Sequence, residues 1–169
     1  MLVLFRGLPG SGKTHLVRKL VRARPDLLVL SRDDLRVHLV AHPTFDDGEK
    51  ELVDSLITVM AGFLVERGRH VVLDGMALSS ASHVEELARA AEIRGAGVLV
   101  VECTCAEATA LARLRENGGR HPAGDRGEAL YHRVKARWEP LQRPSLVLET
   151  DEGSERLLAA LLERMASLG

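Results

Sequence analysis

Aromatic residues make up only 3% of this chain, cysteines number two, and only four of the 23 basic residues are lysines (Lys13, Lys19, Lys50, Lys135). So few aromatics, with a formal net charge of −1, argue against a long, basic, base-stacking groove for nucleic acid. The two cysteines, Cys103 and Cys105, cannot build a disulfide framework. With no second Cys or His cluster at metal spacing, they give little reason to expect zinc. They are expected as reduced thiols of a cytoplasmic protein. Long hydrophobic runs are also missing: the N-terminal run stops at Arg6, and none approaches the ~18 residues a membrane span needs. Neither a signal peptide nor a membrane helix is expected, and no segment reads as a site for an obligatory protein partner.

What remains is an ordinary globular mixture, 46% hydrophobic and 28% charged over 169 residues. A chain of that length forms one domain and buries roughly 70% of its unfolded surface. Short β-branched or leucine-rich runs alternate with longer segments of helical period. Strands are predicted at Leu2–Phe5, Leu27–Leu30, His70–Leu73, Val98–Glu102 and Ser145–Leu148. Helices are predicted at Lys13–Arg22, Asp33–His42, Gly48–Arg67, Ser80–Arg94, Ala106–Arg115, Gly127–Glu139 and Ser154–Leu168. Strand–helix alternation implies an α/β fold, a five-stranded parallel sheet with helices on both faces. Ser82 with Glu85, and Thr104 with Glu107, have the spacing at which a hydroxyl and a carboxylate satisfy each other's free amides at a helix start. Tyr131 and Trp138, seven apart, are expected to pack on one helical face.

Directly after the first strand, Gly7-Leu8-Pro9-Gly10-Ser11-Gly12-Lys13-Thr14 fits G-x-x-x-x-G-K-[ST], with a helical pattern following. Glycines there let backbone amides converge on phosphate oxygens, and the helix adds its positive end. Gly10, Ser11, Gly12, Lys13 and Thr14 are therefore the candidate cofactor-binding residues for ATP or another nucleoside triphosphate. Lys13 would neutralise β- and γ-oxygens, and the Thr14 hydroxyl would reach Mg²⁺. Asp74, at the end of the third strand, reads as the second metal residue, or as one that orients an acceptor.

After the second strand comes Ser31-Arg32-Asp33-Asp34-Leu35-Arg36, at the sheet edge where open α/β folds bind ligands. A phosphotransferase needs a carboxylate there to take the proton of an acceptor hydroxyl. Asp33 is the candidate base, and Asp34 competes for that role or caps the helix. Arg36 shares a helical face with Asp33 and could grip an acceptor phosphate, the alternative being a plain surface ion pair. His38 and His42 could ligate a metal, but no third ligand is evident.

From Arg113 to Arg143 eight basic residues face four acids. Within this stretch Asn117–Gly127 is glycine-rich, which predicts a mobile lid over about residues 113–127. An arginine on such a lid stabilises charge on a transferring phosphoryl group. Arg120 is the first candidate, with Arg113 and Arg115 competing.

With the phosphate loop, Ser31–Arg36, Leu73-Asp74-Gly75 and the arginine-bearing lid in order, and Ala41-His42 following, the chain resembles the phage-type polynucleotide 5′-hydroxyl kinases. The resemblance implies a P-loop kinase fold, Asp33 as general base, Arg36 on the acceptor's 3′-phosphate, Lys13 and Thr14 on ATP–Mg²⁺, and Arg120 as lid arginine. The segment Arg115–Arg120 only approximates that family's lid, and no Asp-x-Asp-Gly-Thr of an accompanying phosphatase is present. The implied activity moves the γ-phosphoryl of ATP to an alcohol, with a polynucleotide or nucleotide 5′-hydroxyl as leading acceptor. A small-molecule kinase acting on a sugar, antibiotic or nucleoside is the alternative, and a nucleotide-dependent binding module or switch a third reading.

Overall fold

Each predicted strand forms, and each runs at least one residue further at its carboxyl end than hydropathy suggests. In the computed structural model, which describes residues 1–117 and 127–168, the strands are β1 (Leu2–Arg6), β2 (Leu27–Ser31), β3 (His70–Asp74), β4 (Val98–Thr104) and β5 (Leu146–Glu149). Arg6, Ser31, Asp74, Thr104 and Glu149 are polar, so hydropathy ends each strand early, but a backbone ladder is indifferent to side-chain polarity. The helices are α1 (Lys13–Ala23), α2 (Arg32–Leu39), α3 (Asp47–Glu66), α4 (Ala81–Glu92), α5 (Glu107–Asn117), α6 (Glu128–Ala136) and α7 (Ser154–Ala166).

All strand pairs are parallel, in the order β2-β3-β1-β4-β5. Because side chains alternate across a strand, β1 feeds two cores. Leu2 and Leu4 join Val71, Leu73 and Val100 beneath α3 and α4, while Val3 and Phe5 join Val72, Leu99 and Val101 beneath α1 and α7. Burial of β1 on both faces explains its unbroken apolar run. A smaller cluster, Ala110, Leu114 and Tyr131, joins α5 to α6.

Helix starts depart most from the sequence reading. Ser82 and Glu85 do not cap each other: the Ala81 amide donates to the Glu139 carboxylate (2.7 Å), and Glu85 is taken by Arg89 and Arg143. Thr104 belongs to β4, and the Ala106 amide donates to Asp151 instead (2.7 Å). Asp34 is capped rather than capping, since its amide donates to the Ser31 hydroxyl (3.2 Å). A variant of that reciprocal cap does form at α3, where the N-cap Asp46 accepts from the Glu49 amide (2.8 Å) and the Glu49 carboxylate accepts from the amides of the two preceding residues, Thr44 (2.7 Å) and Phe45 (3.3 Å).

Five helices stop earlier than predicted, α3, α4 and α7 by one or two residues and α2 and α6 by three. α2 ends at Leu39 because Val40 is extended (φ −113°), so Ala41 and His42 lie beyond it. α6 ends at Ala136, which removes Trp138 from the helical face of Tyr131. Trp138 instead stacks on Arg6, whose guanidinium carbon lies 4.0 Å from the ring centroid.

Arg6 is fully buried at the end of the central strand. Its Nη2 donates to the Glu139 carbonyl (2.9 Å), and its Nε lies 3.5 Å from the Glu102 carboxylate. Burial lowers its pKa, against the pull of Glu102 and Glu139, but an arginine starts so high that it stays charged. The Glu139 amide donates to the Ser79 carbonyl (2.9 Å). One buried cation thus ties the chain after α6 to the start of α4 and to β1.

Two outcomes follow for stability. Arg6→Ala, which strands the Glu139 carbonyl and uncovers Trp138, is expected to cost about 3 kcal/mol in urea unfolding, and Arg6→Met of similar volume markedly less. For Glu49, burial opposes the charge, but the Thr44 and Phe45 amides, the Thr44 hydroxyl and Arg36 outweigh it and hold the carboxyl below the usual range. A depressed carboxyl stabilises the fold above its unfolded value, about 4.3, and loses that contribution as pH falls through the lower folded value. Glu49→Gln should therefore lower the urea midpoint at neutral pH, with the gap from wild type closing as acid protonates Glu49.

Candidate active site

The loop between β1 and α1 is shaped by glycine. Gly12 adopts φ +84° as the N-cap of α1, and a Cβ on Gly10 (φ +79°) would sit 2.4 Å from the Ala110 carbonyl of α5, so only glycine fits there. The first turn of α1 contains no acid of its own. Lys13 Nζ donates to the carbonyls of Gly7 (2.7 Å) and Leu8 (3.0 Å), which folds the side chain back along the loop. The Thr14 hydroxyl donates to Asp74 Oδ1 (3.1 Å) across the gap to β3. A hydroxyl and a carboxylate oxygen at this separation, with Asp74 only 5% exposed, fit the hard oxygen ligands that Mg²⁺ takes.

Behind the loop stands Thr150, just past β5. Its hydroxyl lies 2.9 Å from the Ser11 carbonyl and 3.1 Å from that of Thr104, and it accepts from Arg113 Nη1 (3.0 Å). Arg113 also donates to the Thr150 carbonyl (2.9 Å) and lies 3.6 Å from Asp151. Nothing in the local sequence marks Thr150, because its position comes from the register of β4 with β5.

On the opposite wall Asp33 occupies the first turn of α2, 7% exposed. Gly75 (φ +78°) leaves room for it: a Cβ there would lie 3.0 Å from the Asp33 amide and 3.2 Å from Asp33 Oδ2. The carboxylate therefore lies against the end of β3, beside Asp74. Arg36 is 4% exposed, with Nη1 4.0 Å from Asp33 Oδ1 and Nε 2.7 Å from Glu49 Oε1. This pair is buried, not a plain surface ion pair. Arg36 Nη2, also buried, makes no hydrogen bond among the described residues. Arg32 pairs with Asp54 (2.9 Å), tying the start of α2 to α3, and burial raises the Asp54 carboxyl despite the opposing charge of Arg32.

These walls enclose one cleft of about 1160 Å³, which brings together Gly10, Gly12, Lys13, Thr14, Asp33, Arg36 and Asp74, along with Arg113 and Thr150. Ser11 is buried at its back. Of the competing arginines, Arg113 lines the cleft, whereas Arg115 is 71% exposed and pairs with Glu128 (3.3 Å). Arg120 and most of the predicted lid lie outside the described residues. Glu49, Phe45 and Thr150 were missed by sequence reasoning; the Asp46–Glu49 spacing was the one available signal for the first two. Chemically, the cleft joins an anion cradle with a lysine and a metal-type oxygen pair to a buried carboxylate and arginine.

A family model described as "AAA domain" matches residues 2–141. No curated protein matches the chain at a significant level. Among solved structures, APE1195 superposes with a TM-score of 0.79 at 20% identity, covering 99% of this chain and 96% of the other. The Mycobacterium tuberculosis APS kinase CysC, in complex with AMPPNP and APS, gives 0.68 at 21% identity, covering 98% and 96%. A chain of the Pnkp1/Rnl/Hen1 RNA repair complex gives 0.63 at 15% identity, covering 82% of this chain and 46% of the other. At such identities the likeness shows the fold, and the family match spans most of the sequence: the chain belongs to this AAA-domain family and has the fold of a P-loop kinase.

Proposed function

We propose that this protein is an ATP-dependent phosphotransferase that moves a γ-phosphoryl group onto a hydroxyl, with the 5′-hydroxyl of a nucleotide or polynucleotide as the leading acceptor. The supporting observation is the buried Asp33 carboxylate on the wall facing Lys13 and Thr14, with the Arg36 guanidinium 4.0 Å from it. The loop amides and the start of α1 would hold the β- and γ-phosphates. Lys13 would leave the Gly7 and Leu8 carbonyls for the phosphate oxygens. Thr14 and Asp74 would hold Mg²⁺, which neutralises charge on the phosphates. Asp33 would accept the acceptor's proton as its oxygen bonds to phosphorus and the bond to the departing ADP breaks. Arg36 would hold an anionic group of the acceptor, and Arg113 is the described arginine best placed beside the loop.

A net charge of −1 suits recognition of a terminal nucleotide better than a long duplex. A kinase of this fold in complex with the small molecule APS favours small acceptors as the second reading. A cytoplasmic setting fits the two free thiols; burial pushes Cys103 up to about 12, too high to ionise at neutral pH. No helix among the described residues is long and apolar enough to cross a membrane.

Labelled γ-phosphate transfer to 5′-hydroxyl DNA and RNA oligonucleotides, nucleoside 3′-phosphates and a panel of small alcohols tests the assignment. Asp33→Asn should keep the thermal shift produced by ATP–Mg²⁺ while losing transfer by at least about a hundredfold, and Lys13→Met should lose both. Unchanged turnover in Asp33→Asn would remove Asp33 as the base, and label appearing only on small alcohols would overturn the nucleotide acceptor.

A further inference from the structure

Phe45 has no part in the three apolar clusters of the fold. It is half-buried and adopts φ +59°, a left-handed conformation that bulky side chains rarely take. Such strain persists only where neighbours enforce it, and it concentrates at ligand clamps. Here the Glu49 carboxylate enforces it by accepting from the Phe45 and Thr44 amides and the Thr44 hydroxyl. Phe45 immediately precedes the N-cap of α3, where an apolar residue ordinarily packs against the fourth residue of its helix. That fourth residue is Lys50, so the usual structural reason for an apolar side chain is missing.

The ring instead forms part of the cleft wall, and among the described residues it is the only Phe, Tyr or Trp side chain that does so. Phe5 lies in the sheet core, Tyr131 under α5 and α6, Trp138 on Arg6, and Phe63 beneath Arg67. The Arg36 guanidinium carbon lies 5.0 Å from the Phe45 ring centroid. One carboxylate, Glu49, thus sets both the arginine and the turn that carries the ring. The Arg36 side chain is 5% exposed, and neither Nη2 nor Nε makes a hydrogen bond among the described residues, although Nε lies 2.7 Å from Glu49 Oε1 as an ion pair.

We propose that Phe45 and Arg36 form a composite subsite for a planar, anionic acceptor: a heteroaromatic base stacks on Phe45 while Arg36 takes the acceptor's anionic group, with the hydroxyl left at Asp33. This rests on the kinase reading above and adds that the acceptor is recognised through its base. A ring without an anion would leave the Arg36 edge unpaired, and an anion without a ring would leave Phe45 uncovered.

The test measures KM for a nucleoside 3′-phosphate and for the matching base-free sugar phosphate, with KM for ATP, in wild type, Phe45→Leu and Phe45→Trp. Phe45→Leu keeps apolar bulk but has no π face. It should raise KM for the base-bearing acceptor about ten- to a hundredfold, with KM for ATP and the unfolding midpoint as in wild type. Phe45→Trp should restore it, and the base-free acceptor should be indifferent to either change. Wild type alone supplies a second measure, since the base-bearing acceptor should hold at least a tenfold advantage in KM. Equal values there, or an equal rise for both acceptors in Phe45→Leu, overturn the stacking subsite but leave Asp33-dependent transfer intact. Failure of wild type to label any base-bearing acceptor overturns the nucleotide reading, and the subsite with it.

Discussion

The cleft depends on one rung of the sheet, the pairing of Ser31 with Asp74 at the carboxyl ends of β2 and β3. Ser31 is also the N-cap of α2, so the rung fixes where that helix begins and places Asp33 two residues beyond it. Asp74 accepts the Thr14 hydroxyl, which ties the same rung to the phosphate loop on the central strand. A slip of one residue would turn every side chain of β2 to the opposite face and carry Asp33 away from the loop. Apolar packing on both sides of β3 prevents that slip, so the core sets the distance between the two halves of the cleft.

Around this rung, arginines are held by acids and carbonyls of the protein. Arg36 lies against Glu49, Arg32 against Asp54, and Arg113 against Thr150 and Asp151. Each pair links an element bearing a site residue to one that does not bear it. Holding a guanidinium in this way fixes its direction, which would lower the ordering cost of binding an anion. Because Arg36 and the Thr44–Phe45 turn share the Glu49 carboxylate, the arginine and the ring cannot be repositioned independently.

Local chemistry was legible in the sequence and long-range capping was not. The phosphate loop, the acids at the ends of β2 and β3, and the apolar strands can be read because each depends on residues within a few positions. The start of α4 cannot, since its partner Glu139 is 58 residues from Ala81; nor can the start of α5, where Asp151 is 45 residues from Ala106. Ser82–Glu85 had the right spacing, but Arg89 and Arg143 compete for that glutamate. Phe45 was overlooked because an isolated phenylalanine between polar neighbours has no periodicity, and its left-handed backbone leaves no mark in the sequence. Trp138 was misplaced for a related reason: a seven-residue spacing implies a shared face only while the helix continues.

The hydroxyl of Thr150 reaches the Ser11 carbonyl across 139 positions of chain. A loop that follows the central strand is thus braced by a residue that follows the edge strand of the sheet. A fragment ending before β5 would carry the whole glycine motif without the hydroxyl that braces its back.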